Sequence, residues 1–340
     1  MKIAIHDRPG SFSDRWIAYC EEKNIPYKKV NCYSNDIIQQ IHDCDALMFH
    51  HNQAIIKEVI FAKQLLFALK DSGIKLFPDF YTNWHFDDKV GQKYLFESLE
   101  LPLVPSYVFY EKKTALDWIE KVEFPKVFKL RGGAGSTNVK LIKTKKDAVK
   151  IINLAFGKGI KTFDGLGYIL DKWGKYQQGI VGFKAVIKAF GRMMISTKHA
   201  KFSPREKGYV YFQDFIPNND FDIRVIVIDN KAFAIKRMVR RNDFRASGSG
   251  DILYEKEHFK DEVIKLAFEV TKKMKSQSCV LDFVFASNGT PMVVEVSYCF
   301  SQKGYEPCVG YWDEELNFYE GKFDPYGWMV EAIIKKLKHD

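Results

Sequence analysis

A chain of 340 residues, 46% apolar and 28% charged, has the makeup of an ordinary globular protein and room for two or three domains. No apolar run reaches membrane-spanning length, and the opening MKIAIHDRPG is broken by His6, Asp7 and Arg8 too early for a secretory signal. The six cysteines (20, 32, 44, 279, 299, 308) show no CxxC pair and no zinc spacing, so reduced thiols and a cytoplasmic location are expected. The net charge of +9 gathers around residues 129–133 and 236–245 rather than in one tract. That pattern suits a small anionic ligand better than a duplex, and no zinc-finger, recognition-helix or RNP-type signature is present.

Residues 1–80 alternate apolar strands with helical stretches. KIAIH, YKKVNCY and DALMFHH read as strands. FSDRWIAYCEEK, SNDIIQQIHD and IIKEVIFAKQLLFALKDSG read as helices, the last ending on Gly73. Such alternation predicts a parallel sheet with helices on its faces and ligands beyond the strands' carboxyl ends. Those ends carry His6, Asp7, Arg8, His50, His51 and Asn52, which either hold a substrate or simply keep the loops polar. The absence of GxGxxG after the first strand argues against a dinucleotide. Residues 78–84 read as a linker. Asp87 or Asp88 then caps a helix running to about Leu99, and Pro102 and Pro105 lead into the strand SYVFY.

EFPKVFKLRGGAGSTNVKLIK reads as strand, flexible loop, strand. Lys129 lies on the first strand, directly before RGGAGS. Glycines let a backbone approach phosphate and present N–H groups to its oxygens. This is no Walker A loop, because no GK[ST] closes it, and an unliganded hairpin tip accounts for it equally well. A helix follows at KKDAVKIINLAFGKG. Residues 160–205 are basic and aromatic, with a helical core near GFKAVIKAFGR, and read as lid decoration. KGYVYFQDFIPNNDFDIRVIVIDNKAFAIKRMVRRNDF gives strands parted by turns at PNND and DNK, with a polar pair, Gln213 and Asp214, before Phe215 and Ile216. Gly248 and Gly250 mark another loop, and EHFKDEVIKLAFEVTKKMK is an amphipathic helix.

Residues 279–297, CVLDFVFASNGTPMVVEVS, read as a hairpin turning at Ser287-Asn288-Gly289. Asp282 and Glu295 interrupt its apolar strands and can face one another. Facing carboxylates repel, and either a divalent cation, for which oxygen ligands suit Mg²⁺, or solvation and lysine pairing resolves the conflict. The block 298–337 is aromatic and loop-rich before a closing helix, its rings either anchoring the loop or walling a pocket.

Lys89 before a helix, Lys129 before a glycine loop, the hinge Gln213-Asp214-Phe215-Ile216, the pair Asp222 and Arg224, and the hairpin acids Asp282 and Glu295 occur in that order. In this order they resemble the ATP-grasp superfamily, the fold of D-alanine–D-alanine ligase and glutathione synthetase. The nearest resemblance is to the alpha-L-glutamate ligase branch, which carries a hinge like QDFI, then DIR, then DFR, here Asp243-Phe244-Arg245. It spans roughly residues 85–300. The implied fold class is α/β plus α+β. An N-terminal parallel-sheet α/β domain (1–84) would precede a central ATP-grasp subdomain with a glycine-loop lid (85–215). A C-terminal antiparallel-sheet subdomain with the Mg/ATP site (216–340) would follow.

The resemblance also implies roles. Lys89 and Lys129 would bind the ATP phosphates, and Gly132, Gly133, Gly135 and Ser136 would form the flap over them. Gln213, Asp214, Phe215 and Ile216 would hold adenine, with Asp222 near the ribose. Asp282 and Glu295 would bridge Mg²⁺, two ions in the family with Mn²⁺ an acceptable replacement, to the phosphates. Ser297 stands where the family has an asparagine ligand, and Ser247 where an asparagine follows DFR, which marks a divergent subgroup. The implied reaction is a carboxylate–amine ligation through an acyl phosphate. Arg224, Arg237 and Arg245 would hold the carboxylate and the tetrahedral intermediate, unless they line a solvated strand face. Partners would be a small or sugar-like acidic substrate and an amine acceptor. A homodimer is compatible, and neither nucleic acid nor membrane is expected. A kinase acting on a hydroxyl acceptor is the alternative, and a non-catalytic nucleotide-binding protein a further one.

Overall fold

The computed structural model describes residues 1–52, 55–133, 138–161, 169, 173–174, 176, 182–194, 205–240 and 243–339. The first sheet uses β1 (Ile3–His6), β2 (Tyr27–Val30), β3 (Ala46–Met48) and β4 (Lys75–Phe77), in the all-parallel order β2-β1-β3-β4. The first three strands are as expected; β4 precedes the stretch read as a linker. That stretch holds a short helix, α4 (Phe80–Asn83), capped by Asp79, whose side chain accepts from Thr82 N at 3.0 Å. The expected second helix shrinks to one turn, α2 (Ile37–Gln40), while α3 (Ile56–Lys70) stops short of Gly73. Side chains alternate along a strand, so each strand feeds two cores. Ile3, Ile5 and Met48 meet Phe12 and Trp16 of α1 (Phe12–Glu22) on one face, and Ala4 and Leu47 meet Ala62 and Leu66 of α3 on the other.

Next come α5 (Lys89–Ser98), β5 (Ser106–Phe109), α6 (Lys112–Ile119), β6 (Lys126–Lys129), β7 (Lys140–Ile142) and α7 (Lys145–Phe156). The helix expected inside 160–205 is α8 (Phe183–Met194), and β8 (Val210–Asp214) follows. The four strands form an antiparallel sheet in the order β5-β8-β6-β7. Its Phe128, Val210 and Phe212 pack on Ala115 and Ile119 of α6 and Ala148 and Ile152 of α7. By alternation, Val127, Lys129 and Gln213 point the other way, toward the third sheet.

That sheet runs β13-β12-β9-β10-β14-β15, with β11 (Ile252–Leu253) paired to β10. Its long strands are β9 (Phe221–Ile228), β10 (Lys231–Met238), β12 (Ser278–Phe285) and β13 (Pro291–Ser297). The block read as loop supplies β14 (Gly310–Asp313) and β15 (Phe318–Glu320). Val225, Val227, Leu281 and Phe283 bury against α9 (Asp261–Lys273). The opposite face begins apolar: Ile226, Ile228, Phe233, Ile235 and Val280 share a core with α1 and with Met329, Val330 and Ile333 of the closing helix α10 (Pro325–His339). Farther along that face the same alternation brings Asp222, Arg224, Arg237 and Asp282. The apolar run thus gives way to charge where the two antiparallel sheets diverge, and a cleft opens there.

Candidate functional site

The cleft encloses about 600 Å³ between the free face of the small antiparallel sheet and the charged end of the large one. Its floor is set by strand register. Glu295 stands opposite Asp282 across the hairpin, and Asp282 stands opposite Arg224 on the next strand, so three charges form one cross-strand row. Arg237 stands opposite Asp222 two residues farther along the same face. The hairpin turn is as expected, with Gly289 in the left-handed region at φ 84 and Ala286 N donating to Thr290 O at 2.9 Å.

The arginines are not aimed into open space. Arg224 donates from Nε and Nη2 to the two oxygens of Asp282 at 2.5 and 2.6 Å. Arg237 grips Asp222 in the same forked way, at 2.6 and 2.5 Å, and its Nη2 also lies 3.1 Å from Asp282 Oδ2. Burial acts against the charge on Asp282, but Arg224 and Arg237 outweigh it and hold the carboxyl well below the usual carboxylate range. The buried Tyr305 hydroxyl lies near the Arg224 guanidinium. Arg245 forks onto Asp243, with Nε at 2.9 Å and Nη2 at 2.7 Å from Oδ2, inside its own loop.

The roof carries the lysines. Lys89 is buried, pairs with Glu295 Oε1 at 3.1 Å and donates to Gly133 O at 2.9 Å. Lys129 is buried too, yet its Nζ donates to a neutral amide, Gln213 Oε1, at 2.6 Å, and among the described residues no carboxylate pairs with it. Burial lowers its pKa to about 8. Gln213 is pinned in turn by Nε2 donating to Ser106 Oγ at 3.0 Å. Asp214 pairs with Lys126 at 2.6 Å. Phe215 and Ile216 line the cleft, and Phe244 meets the Phe215 ring edge-on at 6.0 Å.

Gly133 takes φ 114, a conformation that favours glycine, and a Cβ on Gly132 would lie 3.1 Å from Asp87 Oδ2. Gly135 and Ser136 lie outside the described residues. Ser297 borders the cleft, but its Oγ accepts from Cys299 N at 3.2 Å and lies 3.3 Å from Cys299 O. Ser247 lines the cleft, and its carbonyl accepts from Arg240 Nε at 2.9 Å.

The family model of the RimK-like ATP-grasp domain matches residues 179–310. Among solved structures, D-alanine–D-alanine ligase from Bacillus anthracis, complexed with ATP, superposes at TM-score 0.57 and 13% identity, over 100% of this chain and 97% of that one. A RimK domain ATP-grasp protein from Sphaerobacter thermophilus gives 0.56 and 13% over 98% and 100%. A biotin carboxylase from Campylobacter jejuni gives 0.60 and 13% over 98% and 70%. No curated protein sequence matches this chain. The chain has the ATP-grasp fold.

Within this ATP-grasp cleft the structure gathers most of the residues singled out from sequence. Lys129, Gly133, Gln213–Ile216, Asp222, Arg224, Arg237, Arg245, Asp282, Glu295 and Ser297 line it, and Lys89 and Gly132 adjoin it through Glu295 and Asp87. The N-terminal histidines are not presented as ligands. His6 Nδ1 accepts from Cys32 N and His50 Nδ1 from Phe12 N, at 3.1 and 3.0 Å, while His51 Nδ1 lies 3.2 Å from the Tyr298 hydroxyl. Burial lowers the His51 pKa to about 3, so the ring is neutral at physiological pH. The C-terminal rings are mostly anchors: Tyr298, Phe300, Tyr305 and Tyr326 are buried, and only Tyr305 reaches a charged cleft group.

Asp87 and Phe244 escaped the sequence reading as cleft groups. The doubled aspartate before Lys89 was the available signal for the first, and the structure divides the two: Asp88 caps α5 by accepting from Gly91 N at 2.9 Å, while Asp87 turns to the glycine loop.

Proposed function

We propose that the chain is an ATP- and Mg²⁺-dependent carboxylate–amine ligase working through an acyl phosphate on a small acidic substrate. The observation that carries this reading is the meeting, in one cleft, of the cross-strand acids Asp282 and Glu295 with two buried lysines and the Gln213–Ile216 hinge. The similar structure from Bacillus anthracis is a ligase complexed with ATP.

The donor set suits Mg²⁺. A carboxylate offers about four lone-pair sites, and Asp282 accepts from Arg224 Nε on Oδ1 and from both arginines on Oδ2, leaving room on Oδ1. Among the described residues no group of three or more His, Cys, Asp and Glu forms a metal cage. Two carboxylates with further ligands from phosphate and water is the usual Mg²⁺ arrangement. The Ser297 hydroxyl, engaged with the Cys299 backbone, is the weaker candidate. When bound, the metal supplies charge neutralisation along the triphosphate.

Lys89 and Lys129 would neutralise phosphate oxygens, and the backbone of the hinge, with Phe215 and Phe244, would seat the adenine. A substrate carboxylate oxygen would attack the γ-phosphorus, breaking its bond to ADP. An amine nitrogen would then attack the acyl carbon, form the amide and release phosphate. Arg224 and Arg237, held by Asp282 and Asp222, provide preorganised positive charge at the cleft floor.

The test is ADP release, screened over carboxylates with and without amines. ADP and phosphate formed only when both are present is the expected outcome; ADP formed with an alcohol and no amine would make the chain a kinase. Glu295→Gln should abolish Mg²⁺-dependent release while keeping the fold, and wild-type turnover in that variant would remove the metal role. Asp282→Asn is a poorer probe, because it strips Arg224 of its carboxylate and Arg237 of one of its two, a loss worth about 3–5 kcal/mol of stability in buried pairs.

A further inference from the structure

The glycine loop is held down from below by three consecutive residues. Lys89 N donates to Arg131 O at 2.9 Å and Lys89 Nζ to Gly133 O at 2.9 Å. Asp88 lies 3.6 Å from Arg131 Nη1. Asp87, with a left-handed backbone at φ 54, accepts from Gly133 N at 2.8 Å through Oδ1. Its other oxygen lies so close to Gly132 that a Cβ there would come within 3.1 Å. A carboxylate of the chain's own therefore sits on the backbone donor of a glycine loop, two residues from a lysine that already pairs with Glu295.

We propose that Asp87 is a self-supplied anion that occupies the glycine-loop donor and competes with nucleotide phosphate for it. This rests on the nucleotide reading of the cleft given above. The Gly133 N–H points at one acceptor, and two anions brought to the same donor repel. Phosphate arriving at the loop must therefore displace the carboxylate, so part of the binding energy goes into freeing the loop from residue 87. Burial pushes the Asp87 pKa up to about 6, against the pull of Lys89, the Gly133 N–H and Lys63, with Glu295 adding to the rise. A purely structural brace would behave in the opposite way, since loosening it would cost affinity.

Charge is separated from shape by Asp87→Asn. The amide oxygen still accepts from Gly133 N, and asparagine tolerates the left-handed backbone. Asp87→Gly, which removes the acceptor and suits the same backbone, is the second variant. Full-length wild type and both variants are titrated calorimetrically at pH 7.5 with a non-hydrolysable ATP analogue and Mg²⁺, after thermal melts confirm folding. The expected result is at least tenfold tighter binding by Asp87→Gly, about 1.4 kcal/mol, with Asp87→Asn between it and wild type because it drops the charge but keeps the acceptor. Equal or weaker binding by folded variants, with wild type still binding, overturns the competitor role and leaves the nucleotide reading standing. Failure of all three proteins to bind brings down both.

Discussion

Lys129 is the residue whose surroundings make the sharpest demand. It is 5% exposed, and its ammonium faces an amide rather than a carboxylate. Burial disfavours the charged form, and its pKa falls from 10.5 to about 8. The folded value lies below the unfolded one, so this group lowers stability at pH values under 8 and ceases to do so as pH rises toward 10.5. A phosphate would restore the charged form. Nucleotide binding near pH 8 is therefore expected to take up a proton, and affinity to fall as pH rises further. Calorimetry in buffers of different ionisation enthalpy reads the uptake directly; a heat independent of buffer would count against phosphate contact. Lys129→Ala should cost at least tenfold in nucleotide affinity, about 1.4 kcal/mol. A lysine on a strand before a glycine loop was legible from the chain alone. Its neutral partner was not, because Gln213 lies 84 positions away and meets it only across paired strands.

At the scale of elements, the hairpin was readable almost to the residue, since its alternation and its Asn-Gly turn are local signals. The strands β4, β14 and β15 were not, being defined by what they pair with. Gly310 shows why: an added Cβ there would run into Phe318 and Tyr319 of the neighbouring strand, so close approach rather than propensity makes that pair. The helix α10 poses a similar constraint. A Cβ on Gly327 would fall into the Tyr19 ring of α1 and within 2.7 Å of Asp324 Oδ2. Gly327→Ala, although it favours helix, is expected to destabilise by about 1–3 kcal/mol through overpacking. A thermal melt would register several degrees of loss, and an unchanged midpoint would count against the close approach of α1 and α10 at Gly327.

For the whole molecule, the parallel sheet and the large antiparallel sheet share one core through α1 and α10, with Ile3, Phe12, Ile226, Phe233 and Met329 in the same cluster. Gln277 stitches the two parts further. Its Nε2 donates to Leu76 O at 2.9 Å, its Oε1 accepts from Asp79 N at 2.8 Å, and its own N donates to Thr82 Oγ1 at 2.8 Å. Unfolding of these parts should therefore be coupled. Far-UV dichroism and tryptophan fluorescence are expected to trace one denaturant transition, and Gln277→Ala to lower the unfolding free energy read from it by about 1–3 kcal/mol, the cost of stranding buried backbone groups. Two resolved transitions in the wild type would show that the shared core does not couple them.

Sequence alone determined the period of each long element, the punctuation by glycine and proline, and the order of lysines, hinge and acids along the chain, because these depend on neighbours a few positions apart. Only the tertiary structure decided how the charges are shared: Asp282 with two arginines, Glu295 with Lys89, Arg245 with Asp243, and Asp87 with the glycine loop. Coulomb attraction between side chains acts over a few ångströms of space, and strands far apart in the chain come that close only after the sheets have set their register.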